Sequence, residues 1–145
     1  MRTVILFFFT LLFTMCSTSN VQYRDDFRPA SESQKKQFLS DLNANSDAFS
    51  VIILTKGYKG ELVIISNEKK TLYKGTTITN LNNGIAHSLR IDNSLPTTIT
   101  DKISNKEVII EPKKAKQYKF IYIMKDNAEA KNPYKITYSN TLRPM

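Results

Sequence analysis

Phe49-Ser50-Val51-Ile52-Ile53-Leu54, then Lys56-Gly57-Tyr58-Lys59-Gly60, then Glu61-Leu62-Val63-Ile64-Ile65: this stretch decides the fold class. Both apolar runs are short, rich in β-branched residues and bounded by a glycine-bearing loop. That pattern marks strands, since a helix needs a longer segment with a 3.6-residue period. Read locally, the pair is a β-hairpin with its loop over 56–60.

Toward the C-terminus the same style continues. Asn67-Glu68-Lys69-Lys70 reads as the next turn, followed by Thr71-Leu72-Tyr73-Lys74 and, after Gly75, by Thr76-Thr77-Ile78-Thr79. Asn80-Leu81-Asn82-Asn83-Gly84 carries an Asn-Gly step, the strongest short-range hairpin signal in the chain. Ile85, His87, Leu89 and Ile91 alternate on one face of a strand ending at Asp92–Pro96. Thr97 to Ile103 and Glu107 to Glu111 read as further strands, the second stopped by Pro112. Gln117-Tyr118-Lys119-Phe120-Ile121-Tyr122-Ile123-Met124 is the most apolar strand and is predicted to be central. In the last strand Tyr134, Ile136 and Tyr138 alternate with Lys135, Thr137 and Ser139, which predicts one wet face.

Upstream of Phe49 the pattern changes. Ser31-Glu32-Ser33-Gln34 has the capping-box form, a Ser followed three residues later by Gln, and Phe38, Leu39 and Leu42 then share one helical face to about Asn43. The organisation expected is a leader over 1–15, a tether with a short helix over 16–47, and a β domain over 48–145. The fold expected is mainly β: an antiparallel β-sandwich of immunoglobulin-like or transthyretin-like architecture with one short N-terminal helix. A closed barrel is the alternative. The paired cysteines and core tryptophan of immunoglobulin domains are missing.

The first twenty residues carry a separate message. Met1-Arg2-Thr3 is a small positive start; Val4 to Met15 is an almost wholly apolar run; the polar Ser17-Thr18-Ser19-Asn20 follows the sole cysteine, Cys16. The run is too short to span a bilayer core of ~30 Å as a helix. This leader resembles a bacterial lipoprotein signal, although Phe13-Thr14-Met15 is bulkier than the usual residues before the cysteine. The resemblance implies that Cys16 becomes the first residue of the mature chain and carries the acyl groups, and that the protein is membrane-anchored, facing the periplasm or the cell surface. A secreted soluble protein, cut among Cys16–Ser19, is the alternative. With no cysteine after Cys16, the domain has no disulfide and rests on its core.

The formal charge is +8. The lysines are scattered, and an exported chain does not meet nucleic acid, so no nucleic-acid partner is expected. The tightest group, Lys113-Lys114-Ala115-Lys116, reads as a solvated turn or as a contact for lipid headgroups, acidic polysaccharide or an acidic protein face. His87, the sole histidine, lies in line with Leu89 and Ile91 and reads as a core imidazole rather than a catalytic base. No histidine pair, second cysteine or calcium-loop spacing is present, and 56–60 lacks the strand–loop–helix setting of a phosphate cradle. No metal, cofactor or enzymatic activity is therefore expected.

The best binding candidate is Tyr58, read as an exposed aromatic at a hairpin tip between Lys56 and Lys59. The function expected is that of a non-enzymatic envelope protein acting through protein–protein contact, as an accessory or assembly component, with an unknown envelope protein or polysaccharide as partner. The alternatives are a carbohydrate- or small-ligand-binding module and an inhibitor or immunity protein.

Overall fold

The computed structural model describes residues 20–126 and 130–145; the leader and Cys16 lie outside them. Among the described residues nine strands fall into two sheets. The five-stranded sheet runs β1-β9-β8-β2-β5, from β1 (Asn20–Tyr23), β9 (Tyr134–Ser139), β8 (Phe120–Lys125), β2 (Phe49–Leu54) and β5 (His87–Asp92). The four-stranded sheet runs β4-β3-β6-β7, from β4 (Thr71–Ile78), β3 (Lys59–Ser66), β6 (Thr97–Asp101) and β7 (Lys106–Ile110). One core lies between them, with Ile52, Leu54, Ile91, Ile121 and Ile123 facing Val63, Ile65, Ile99, Val108 and Ile110. The protein is thus mainly β and sandwich-like.

Five of the seven strand pairs are antiparallel, as the sequence predicts; β1/β9 and β2/β8 are parallel. The parallel pair β2/β8 explains the two most apolar runs in the chain. Parallel strands at a sheet centre are covered on both faces, so they carry continuous apolar sequence instead of alternation. Ile52, Leu54, Ile121 and Ile123 point into the core between the sheets, while Val51, Ile53, Phe120 and Tyr122 point the other way into a second apolar cluster. The predicted central place of β8 holds.

That second cluster takes in part of the segment expected as a tether. Residues 20–47 belong to the folded body: β1 pairs with β9, and Ala30, Leu39 and Ala44 are buried against the outer face of the five-stranded sheet. Helix α1 (Glu32–Asp41) forms where the capping box predicts it: the Ser31 hydroxyl accepts from the Gln34 amide at 3.2 Å, and the Ser31 amide donates to the Gln34 side chain at 3.0 Å. Asn43, at φ +51°, closes its C-terminus in the left-handed conformation. The predicted wet face of β9 is covered for the same reason. Thr137 and Ser139 are buried beneath the N-terminal segment, Ser139 donating to Asp25 at 2.8 Å and Gln22 donating to Thr137 at 2.7 Å.

Two predicted hairpins are instead crossings between sheets. β2 and β3 lie in different sheets, and so do β4 and β5 on either side of Asn80–Gly84. At the first crossing the chain passes over the end of β8, where a Cβ on Gly57 would collide with the Lys125 carbonyl; the φ of +94° also suits glycine alone. The turn at Asn67–Lys70 is a true hairpin joining β3 and β4, its Asn67 side chain accepting from the amides of Lys69 and Lys70. A second helix, the single turn α2 (Pro112–Ala115), starts at Pro112 and carries the lysine cluster from the four-stranded sheet back to β8.

Candidate functional site

The crossing at 55–58 decides the place of the first candidate. Tyr58 is not at an exposed tip: it is 2 % exposed, its hydroxyl donates to the Ile123 carbonyl at 3.3 Å, and burial pushes its phenol well above the usual range. The physical reason is the sheet switch, which turns the segment inward and uses Tyr58 to fill the end of the core. Lys59 is exposed, and its amide donates to the Glu61 carboxylate at 2.6 Å. Lys56 is exposed on the opposite side, at the rim of a cleft described below. Of the lysine cluster, Lys113 and Lys116 are exposed on or just after α2, and Lys114 sits 4.5 Å above the Tyr23 ring. Tyr23, Tyr118 and Tyr138 pack together with centroids 5.4–5.6 Å apart. The sequence candidates are therefore dispersed: Tyr58 is in the core and the lysines do not gather around it.

His87 is half-buried, facing the core side as predicted. Its ring stacks on Tyr73 at 3.9 Å, and burial holds its pKa below the ordinary 6.5. Among the described residues no group of three or more potential metal ligands gathers, and no helix is long and apolar enough to cross a membrane.

Two arrangements do concentrate chemistry. The first lies on the outer face of the five-stranded sheet, past the end of α1. Arg143 is held between two rings, its guanidinium 3.8 Å from Phe27 and 4.1 Å from Tyr122. Its backbone amide donates to the Tyr122 hydroxyl at 3.0 Å, which in turn donates to the Thr141 carbonyl at 3.0 Å. Nε is buried without a hydrogen-bond partner, and no ion pair reaches the group among the described residues. Burial pulls the guanidinium pKa down, and Arg24 nearby adds like-charge repulsion. Two adjoining clefts meet at this arginine. One, of about 180 Å³, is lined by Arg24, Lys135 and Arg143, with Arg24 paired to Asp26 at 2.9 Å; the other, of about 210 Å³, is mostly apolar, with Ile53, Ile85, Met124 and Leu142, and has Lys56 at its edge.

The second is a buried ionic trio bridging the sheets. Lys125 at the end of β8 donates to Asp101 of β6 at 2.6 Å and to Glu61 of β3 at 2.8 Å. Lys125 and Asp101 are almost completely buried, Glu61 nearly so. Asp101 turns its other oxygen, Oδ1, to the amides of Ile103 and Ser104 at 2.8 and 3.2 Å. Burial opposes charge on all three, but the hydrogen bonds outweigh it: Lys125 holds both carboxyls below the ordinary range, and they raise its own pKa. Tyr134 is buried beside them, its hydroxyl without a hydrogen-bond partner, and burial raises its pKa with help from the two carboxylates.

Sequence reasoning missed Arg143, Phe27 and Tyr122, which come from the two chain ends and β8. It also missed the trio, whose members lie 24 and 64 residues apart. No motif signals either set, because each is assembled by the sheet pairing. No protein-family model, curated protein or solved structure matches the chain.

Proposed function

We propose that this is an exported, lipid-anchored, non-enzymatic protein of a bacterial envelope whose β domain binds an anionic ligand at Arg143. The leader up to Cys16 supports the export and the anchor. One observation carries the binding: the half-buried Arg143 guanidinium has no counter-ion among the described residues and its Nε lacks a hydrogen-bond partner, while Lys135, and Arg24 paired with Asp26, face the same cleft. The two rings offset part of the desolvation but offer no hydrogen-bond acceptor, and a carboxylate, sulfate or phosphate oxygen would supply that acceptor in a charge-assisted bond. The adjoining apolar cleft supports an anion with a short hydrocarbon part, and on this reading the small-ligand alternative is preferred to protein contact. We infer further that the sandwich is immunoglobulin-like or transthyretin-like. The shared inter-sheet core supports it, and the two parallel pairs distinguish the chain from an all-antiparallel arrangement.

Titration calorimetry with octanoate tests the ligand. Wild type is expected to bind saturably, and Arg143→Met, which keeps the stack between the rings, to bind at least about tenfold more weakly, the worth of one charged hydrogen bond. Equal affinity in the two proteins, or no binding by either, refutes the site. Labelling with an alkyne fatty acid tests the anchor, with label expected in wild type and lost in Cys16→Ser.

Protein contact is the second reading, favoured by the uncovered outer face of the four-stranded sheet. Ile109 on the edge strand β7 is 47 % exposed, and Ile103 in the turn before it is 70 % exposed. A discrete adduct from a photo-crosslinker at Ile109 in the native host would move this reading ahead.

A further inference from the structure

We propose that Lys125 and Asp101 become joined by an amide between Nζ and Cγ, with Glu61 carrying the proton, so that the two sheets are covalently stapled inside one chain. This inference is independent of the ligand proposed for Arg143.

The three groups stand in the arrangement that an acyl transfer needs. The nucleophile is the Lys125 amine, whose nitrogen lies 2.6 Å from Asp101 Oδ2. The electrophile is the Asp101 carboxyl carbon. Its Oδ1 accepts from the amides of Ile103 and Ser104, two preset donors for the negative charge that develops on that oxygen during attack. The proton carrier is Glu61, 2.8 Å from the same nitrogen and itself positioned by the Lys59 amide. The pocket is dry: Tyr58, Val63, Ile123 and Tyr134 are each at most 2 % exposed. Burial opposes charge on the pair while their mutual contact favours it, so the neutral amine and acid are the minor form from which attack starts, and water exclusion removes the solvent that would hydrolyse the product. Holding the groups in contact replaces an encounter by an intramolecular step.

The step balances. One proton passes from the Lys125 ammonium to Asp101 Oδ2, giving an amine and a carboxylic acid. Nζ then bonds to Cγ, and Oδ1 takes the charge. Glu61 removes a proton from Nζ and delivers it to Oδ2, the Cγ–Oδ2 bond breaks, and one water leaves. Glu61 ends as a carboxylate and the lysine and aspartate as an amide, with no oxidant or co-reactant. The staple would serve where a disulfide cannot, since the body of the chain has no cysteine. Its position is also mechanically apt: β8 is the central strand of one sheet, and β6 is an inner strand of the other.

Peptide mapping of the full-length purified protein reads the bond directly. An acylated Lys125 resists trypsin, so wild type is expected to give one branched species joining residues 91–102 to 120–131, lighter than the two peptides by one water. Glu61→Gln, which keeps both reacting residues, is expected to give that species at least about tenfold less, the usual contribution of a positioned acid–base group being larger still. Asp101→Ala is expected to give none. Recovery of 91–102 and 120–125 as separate peptides from wild type with native circular dichroism would overturn the proposal and leave the trio a salt bridge. An undiminished branched species in Glu61→Gln would overturn the role of Glu61.

Discussion

The five-stranded sheet is covered on both faces, by the four-stranded sheet on one side and by α1, Ala30, Ala44 and Leu142 on the other. The four-stranded sheet is covered on one face only, leaving Leu62, Ile64 and Ile109 at least partly in water. The contrast extends to strand direction. Both parallel pairs lie in the doubly covered sheet, and the half-covered sheet is wholly antiparallel. A parallel pair needs a long return connection, and here the return from β2 to β8 carries the four strands of the other sheet, which cover one face, while the segment between β1 and β2, with Leu142, covers the other. Burial and topology are thus one fact seen twice. The difference also assigns roles: the doubly covered sheet is the scaffold that fixes Arg143, Tyr122 and Lys125, and the half-covered one presents a surface.

The strongest way to break this contrast is at the seam. Tyr58→Ala removes a ring packed between the sheets and is expected to cost about 4 kcal/mol by urea denaturation, the range for a buried aromatic. A cost below about 1 kcal/mol would return Tyr58 to the surface, where its sequence context first suggests it lies. The next test compares two isoleucines on opposite outer faces. Ile53→Ala is expected to cost about 3 kcal/mol and Ile64→Ala less than about 1 kcal/mol, because only the first is fully enclosed. Equal costs would mean that the four-stranded sheet is covered too, for example by a second copy.

The smallest effect concerns pH. Burial lowers the His87 pKa below 6.5, so the folded state binds fewer protons than the unfolded one and stability falls as the pH drops through that value. The ring is half-exposed, so the loss between pH 7 and pH 5 is expected to stay under about 1 kcal/mol. His87→Phe, which keeps the stack on Tyr73, should flatten the thermal midpoint over that window. A steeper profile in the variant would show that another group governs it.

Much of the fold was legible. β2, the turn at Asn67–Lys70, the capped helix and the central place of β8 all follow from local chemistry: β-branched runs, an Asn side chain closing its own turn, a Ser–Gln box, an unbroken apolar string. Local patterns misled where a turn signal did not say which strands it joins. Asn83-Gly84 and Gly57 both sit in sharp turns, yet each turn carries the chain from one sheet to the other. The alternation in β9 was real, but Thr137 and Ser139 are buried because another part of the chain lies over them. The lysines near Tyr58 were visible, whereas the lysine that meets two carboxylates in the core, Lys125, stands in a strand end with no marking motif.

The sequence by itself determined the strand-rich class and the helix start at Ser31, because period and capping are local properties. Only the tertiary structure decided which strands pair, which way Tyr58 points, and that Arg143 and the Lys125 trio exist as sites at all. The reason is range: a hydrogen-bonding box spans one helical turn, but a guanidinium between Phe27 and Tyr122, or an amine between Glu61 and Asp101, is set by sheet order and register, which no neighbouring residue encodes.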